Sequence, residues 1–111
     1  MDSDNQLLFV YGTLMNSAKR VMLLGRHINA SPARLHGYAR GEKRFPFVAK
    51  QADAVTDGAV LEDLTAHDLA ILDEYEEVPK LYTRERVKVV TVDGRKVECW
   101  IYIPTDWANE F

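Results

Sequence analysis

The chain has a single cysteine in 111 residues, Cys99. An intrachain disulfide is therefore excluded, and so is a zinc site built from cysteines. So thiol-poor a chain fits a reducing compartment, and a cytoplasmic location is the expectation. The three histidines, His27, His36 and His67, lack metal-ligand spacing, so neither a metal nor another cofactor is expected. Long apolar runs are missing too, and the longest falls far short of the roughly 20 residues that cross a bilayer. The first six residues, MDSDNQ, are acidic and polar, the wrong character for a secretory signal. Nor does one charge dominate, since 17 acidic and 14 basic residues leave a formal charge of −3. That balance gives no electrostatic case for nucleic acid or an anionic membrane as a partner. Repeats, low-complexity segments and linker-like stretches are absent. Hydrophobic residues at 47% and charged residues at 28% are ordinary for a globular chain. One domain over residues 1–111 is the expectation at this length.

Patterning then supplies elements. Residues 7–11 (LLFVY) make a short apolar run closed by Gly12, the pattern of a buried strand. Residues 17–24 place Val21, Met22, Leu23 and Leu24 along a helix, with Gly25 as its stop. Strands are expected over 34–40, 44–50 and 58–64, with Pro46 confining the middle one to an edge or a bulge. Thr65, with Asp68 three positions on, opens a second helix. That helix reaches Tyr75 or Glu76 and must end before Pro79. The last two strands, 82–92 and 96–103, meet at Asp93-Gly94. A three-residue loop there sets Val87, Val89 and Thr91 opposite Ile101, Cys99 and Val97 on one face. About six strands with two inserted helices predict an α+β fold, a small mixed β-barrel with helices packed outside.

Two segments could carry chemistry. In Tyr11-Gly12-Thr13-Leu14, a strand ends in glycine and turns toward a helix. Such a turn is either plain connection or a cradle of backbone N–H groups for a carboxylate or oxyanion. It is no phosphate loop, because GxxxxGK[ST] and GxGxxG are both missing. At the end of the second helix, about 100° per residue brings Leu69, Leu72 and Glu76 within roughly 60° of one another. Glu74 falls on the far side and Glu77 on the flank. Glu76 is then either part of a solvated acidic run or an inward carboxylate with a raised pKa, suited to general-base work. Arg84 is either one rung of an exposed charge ladder or a partner for Asp73 or Glu76. Tyr82 is either a packing residue or a hydroxyl offered to a substrate. Cys99 alternates with Val97 and Ile101, as a buried inert thiol would.

Together, residues 9–15 (FVYGTLM) and 72–87 (LDEYEEVPKLYTRERV) resemble the signature segments of the gamma-glutamylcyclotransferase-like family. RFPFV at 44–48, and the run from Gly58 into the Thr65 helix, resemble the segments between them. Pro79, Leu81, Tyr82 and Arg84 are most similar to the gamma-glutamylamine cyclotransferase branch. The resemblance implies a small mixed barrel with flanking helices. It also implies an enzyme that closes a gamma-glutamyl group into 5-oxoproline and releases an amine. The implied partner is a small molecule, a gamma-glutamyl amine or small gamma-glutamyl peptide. By position, Tyr11, Gly12, Thr13 and Leu14 match the family's substrate-binding loop. Glu76 matches its catalytic glutamate, and Tyr82 a tyrosine near the substrate. Two other readings stay open, because a fold does not fix a function. One is a non-catalytic module that binds a small metabolite in the same cavity. The other is a scaffold acting through Trp100 and Trp107. The oligomeric state is not legible in the sequence.

Overall fold

A computed structural model describes residues 5–109 of the chain. Five strands close into a barrel: β1 (Gln6–Val10), β2 (Ala30–Glu42), β3 (Pro46–Leu64), β4 (Tyr82–Thr91) and β5 (Lys96–Pro104). Their order around the barrel is β1-β3-β2-β4-β5. All neighbours are antiparallel except β1 and β5, whose parallel pairing closes the ring. Closure removes most of the free sheet edge. Two helices, α1 (Ser17–Leu24) and α2 (Ala66–Tyr75), pack outside. No helix among the described residues is long and apolar enough to cross a membrane.

The expected α+β barrel is present, with five strands rather than about six. The strands expected at 44–50 and 58–64 are two ends of β3, which runs for 19 residues. The reason is a wide irregularity in the β2–β3 pairing. His36 pairs with Val55 and Tyr38 with Lys50, so residues 51–54 face Gly37 alone. Gly37 takes φ 88 there, a value that a side chain opposes. Those four residues, QADA, offer only alanine as apolar side chains and lie mostly exposed, so they read as a loop. Beyond the irregularity, β2 and β3 continue as a two-stranded arm through Glu42 and Pro46. Pro46 is the first residue of its strand, where a missing N–H does least harm.

The β4–β5 register also differs from expectation. The three-residue loop is Val92-Asp93-Gly94, with Gly94 at φ 92. Val87 therefore pairs with Cys99 and Val89 with Val97, two residues away from the expected partners. A shift of two keeps the same face, so Val89, Cys99 and Ile101 remain buried.

Strand alternation divides the apolar residues into two cores. Phe9, Leu35, Val60, Val89, Cys99 and Ile101 fill the barrel. Leu8, Val10, Leu61 and Leu64 face outward and meet Leu69 and Leu72 of α2. β1 feeds both cores, which explains its unbroken apolar run. Gly58 is required where β3 crosses β1, since a Cβ there would lie 2.3 Å from the Val10 carbonyl oxygen.

Both helix starts are capped by side chains. Asn16 accepts from the Lys19 N–H, and Gly25 ends α1 at φ 76. Thr65 and Asp68 form a reciprocal capping box on α2. Arg26 adds two hydrogen bonds to the Asp68 carboxylate, the longer at 2.8 Å. Its guanidinium holds the Asp68 carboxyl down to about 2. An acid held below its unfolded value contributes stability above the unfolded pKa of about 4 and loses it as pH falls toward 2. Arg26 is partly exposed, which screens the pair. Asp68→Asn is expected to lower the unfolding free energy by about 1–2 kcal/mol at pH 7. In urea titrations the gap from the parent should narrow between pH 5 and pH 2, and a gap independent of pH would contradict it.

Candidate active site

A cavity of about 280 Å³ opens where β1 ends and α2 stops. Its wall includes Tyr11, Gly12, Thr13 and Leu14 on one side and Tyr75, Glu76 and Glu77 on the other. Phe45, Pro46, Leu81, Tyr82 and Tyr102 complete much of the rest. The volume lies near the lower end for small-molecule pockets, about 300 Å³.

The loop side follows from how β1 terminates. Ladder pairing with β3 ends at Val10, and Gly12 opens a short 3-10 turn, Thr13–Met15. The first bond of that turn runs from the Met15 N–H to the Gly12 carbonyl, 3.0 Å. The N–H groups of Gly12, Thr13 and Leu14 precede it and are not used by the turn. Two arginines grip the loop by its carbonyls. Arg40 Nε donates to Tyr11 O at 2.9 Å, and the buried Arg20 Nη1 donates to Leu14 O at 2.8 Å. A Cβ on Gly12 would come within 3.3 Å of Pro46, so glycine lets the arm approach.

The acid side follows from how α2 terminates. Leu69 and Leu72 are buried, and Glu76, on the same face, caps the helix end. The chain then turns through a Schellman motif. Val78 N–H bonds to Asp73 O at 2.9 Å, and Glu77 N–H to Glu74 O at 3.1 Å. Glu77 takes the left-handed position, φ 58, usually held by glycine. One turn before Glu76, Asp73 is tied to the barrel. It accepts from Arg84 Nε at 2.9 Å, Arg84 Nη2 at 3.1 Å and the Tyr102 hydroxyl at 2.8 Å. Arg84 in turn lies over the Trp100 ring at 4.4 Å. The last turn of α2 is thereby fixed against β4 and β5.

Glu76 is half-buried, and its side chain has no hydrogen-bond or ion-pair partner among the described residues. Burial alone pushes its carboxyl up to about 7. Three phenols of the wall do not relieve it, because their protons are already committed. Tyr11 donates to Tyr102 O at 2.7 Å, Tyr82 to Pro46 O at 2.6 Å, and Tyr102 to Asp73. Burial raises Tyr11 and Tyr82 well above the ordinary phenol value, and the Glu76 charge raises both further.

The structure thus brings Tyr11, Gly12, Thr13, Leu14, Glu76 and Tyr82 around one cavity, each a candidate from the sequence. Of the two alternatives for Arg84, the pair with Asp73 is the one formed. Tyr82 lines the cavity, but its hydroxyl proton goes to Pro46. Leu14 is buried, so its side chain belongs to the core. Cys99 is fully buried, and burial pushes its thiol up to about 11. Among the described residues no His, Cys, Asp and Glu cluster could hold a metal. Tyr102, Phe45 and Arg40 were not singled out by the sequence. Only alternation along β5 hinted at Tyr102, opposite in face to Ile101.

A raised carboxyl costs stability once it ionises. The folded pKa of about 7 lies above the ordinary 4.5, so stability should fall as pH rises between them. Glu76→Gln removes that cost. At pH 8 it should raise the unfolding free energy by about 1–2 kcal/mol after allowance for solvent screening. At pH 4 it should change little; equal stability of parent and variant at pH 8 would contradict the assignment.

Residues 8–110 match the family described as gamma-glutamyl cyclotransferase, AIG2-like. A gamma-glutamylcyclotransferase of Methanocaldococcus jannaschii, whose name adds a conjectural RNase, is 33% identical over 102 residues. That match covers 86% of this chain and 45% of the archaeal protein, so the chain spans about half the length of that relative. The solution structure of an Arabidopsis thaliana protein is similar at a TM-score of 0.84 and 27% identity, over 93% of this chain and 64% of that one. A solved gamma-glutamyl cyclotransferase shares the fold at a TM-score of 0.80 and 20% identity, over 91% of this chain and 67% of its own. Matched over nearly its whole length and alike in fold, the chain belongs to the gamma-glutamyl cyclotransferase, AIG2-like family.

Proposed function

We propose that this protein is a cyclotransferase that converts a gamma-glutamyl amine or small gamma-glutamyl peptide into 5-oxoproline and a free amine. The observation that carries this reading is the unpartnered Glu76 carboxyl across a small cavity from the Tyr11–Leu14 backbone. The substrate's own α-nitrogen attacks its γ-carbonyl carbon, and the bond from that carbon to the leaving nitrogen breaks. Nucleophile and electrophile share one molecule, so folding the substrate into the attacking conformer supplies much of the acceleration.

The α-amine is protonated in water and inert in that form. The attacking nitrogen loses two protons in passing from ammonium to ring amide; Glu76 relays them in turn to the departing nitrogen, which leaves as an ammonium, and the carboxylate is restored. A carboxyl near 7 is matched to both halves of that transfer at neutral pH. The Gly12 and Thr13 N–H groups meet the γ-carbonyl oxygen as it gains charge. Tyr82, its proton held by Pro46, offers oxygen lone pairs to the substrate ammonium. A module that merely captured a carboxylate would gain from a cation in this wall, and would be opposed by a lone acid.

The test is incubation with a panel of gamma-glutamyl amines and dipeptides, with 5-oxoproline as the readout. The parent should form it, with kcat/KM rising with pH through an apparent pKa of about 7. Glu76→Gln should lose about 10²–10⁴-fold and the pH limb with it. Binding without product in parent and variant alike would favour the non-catalytic module.

A further inference from the structure

We infer that Arg40 is a positioning residue that aims the Gly12 N–H at the reacting carbonyl oxygen, an inference that rests on the cyclotransferase reading. Arg40 stands on the β2–β3 arm opposite Val48 and is not part of the cavity wall, whereas Tyr11 and Gly12 are. Its Nε reaches across to the Tyr11 carbonyl at 2.9 Å. In a trans peptide the C=O and the following N–H point to opposite sides. Holding Tyr11 O toward the arm therefore turns the Gly12 N–H away from it.

The Tyr11 ring is anchored by its hydroxyl bond to Tyr102 O, but that bond leaves the Tyr11–Gly12 peptide plane free to turn. It lies just past Val10, the last β1 residue paired with β3. Its second residue is glycine, which permits rotations that a side chain would forbid. The next peptide needs no such help, because the Gly12 carbonyl is held by the Met15 N–H. Among the described residues the other ion pair of Arg40 is weak, an exposed pairing with Glu42 at 3.6 Å. An arginine whose one good bond is to this carbonyl acts on the orientation of the loop and not on its own charge pairing.

The substitutions separate hydrogen bonding from charge. Gln carries an N–H donor at the position of the arginine Nε, and Met is similar in length without a donor. Arg40→Met should lower kcat about 10–100-fold, less than outright loss of an oxyanion donor, with KM within about twofold. Arg40→Gln should recover most of the loss, although the positive charge is gone. Glu42→Gln, which removes only the ion pair, should match the parent. In nitrogen-15 NMR spectra the Gly12 amide should shift in Arg40→Met and return toward the parent position in Arg40→Gln. Should Arg40→Met not fold, Arg40→Thr, too short to reach but favoured in strands, takes its place. An active parent with unchanged kcat in Arg40→Met overturns this inference alone, as does a loss carried wholly by KM. A parent that forms no 5-oxoproline overturns the cyclotransferase reading and this inference with it.

Discussion

A carboxyl group set among phenols, with no cation among the described residues to neutralise it, is costly to ionise, and the design of this site turns on that cost. Helix α2 delivers Glu76 along the same face as Leu69 and Leu72, whose burial holds the helix to the barrel. The apolar stripe that stabilises the fold thus ends in the one residue that opposes it. Three tyrosine hydroxyls lie close by, yet each donates elsewhere. Had any of them donated to Glu76, the carboxylate would be stabilised and the pKa would drop back toward its ordinary value. The arrangement keeps the acid basic by withholding partners, a local conflict of the kind that functional sites retain.

Holding such a group in place needs support from outside the cavity. Asp73 anchors the last turn of α2 through Arg84 and Tyr102. The Schellman turn then carries the chain away, with Glu77 in the left-handed position. On the opposite wall, the arm of β2 and β3 reaches over the loop. Trp107 packs edge-on against Phe45, Phe47 and Tyr82, and its ring N–H bonds to Leu81 O at 2.6 Å. Aromatic packing of this kind fixes the arm on the short 3-10 turn Asp106–Asn109, and with it the Phe45 and Pro46 part of the cavity wall. The interior of the barrel contributes rigidity more than chemistry, since most of its buried residues are apolar.

Much of this was legible before any coordinates. The α2 capping box, its end at Tyr75 and the inward direction of Glu76 follow from local rules acting within a few residues. The α1 stop at Gly25 and the positive φ of Gly94 do as well. The continuity of β3 was not legible, because residues 51–54 face only Gly37 and bring no apolar side chain larger than alanine. The hairpin register differs by two residues from the one the apolar pattern favours, and burial cannot tell them apart since the face is the same. The roles of Arg40 and Phe45 at the site are not legible in the sequence for another reason. Both residues reach the site through an arm whose placement depends on contacts far apart in sequence, such as Trp107 with Phe45.

The most direct measurement is a carbon-13 NMR titration of the Glu76 side-chain carboxyl in the folded protein, assigned by its loss in Glu76→Gln. The account predicts a midpoint at about 7, set by burial. A midpoint near the ordinary 4.5 would mean a solvated or partnered carboxylate, and would contradict it.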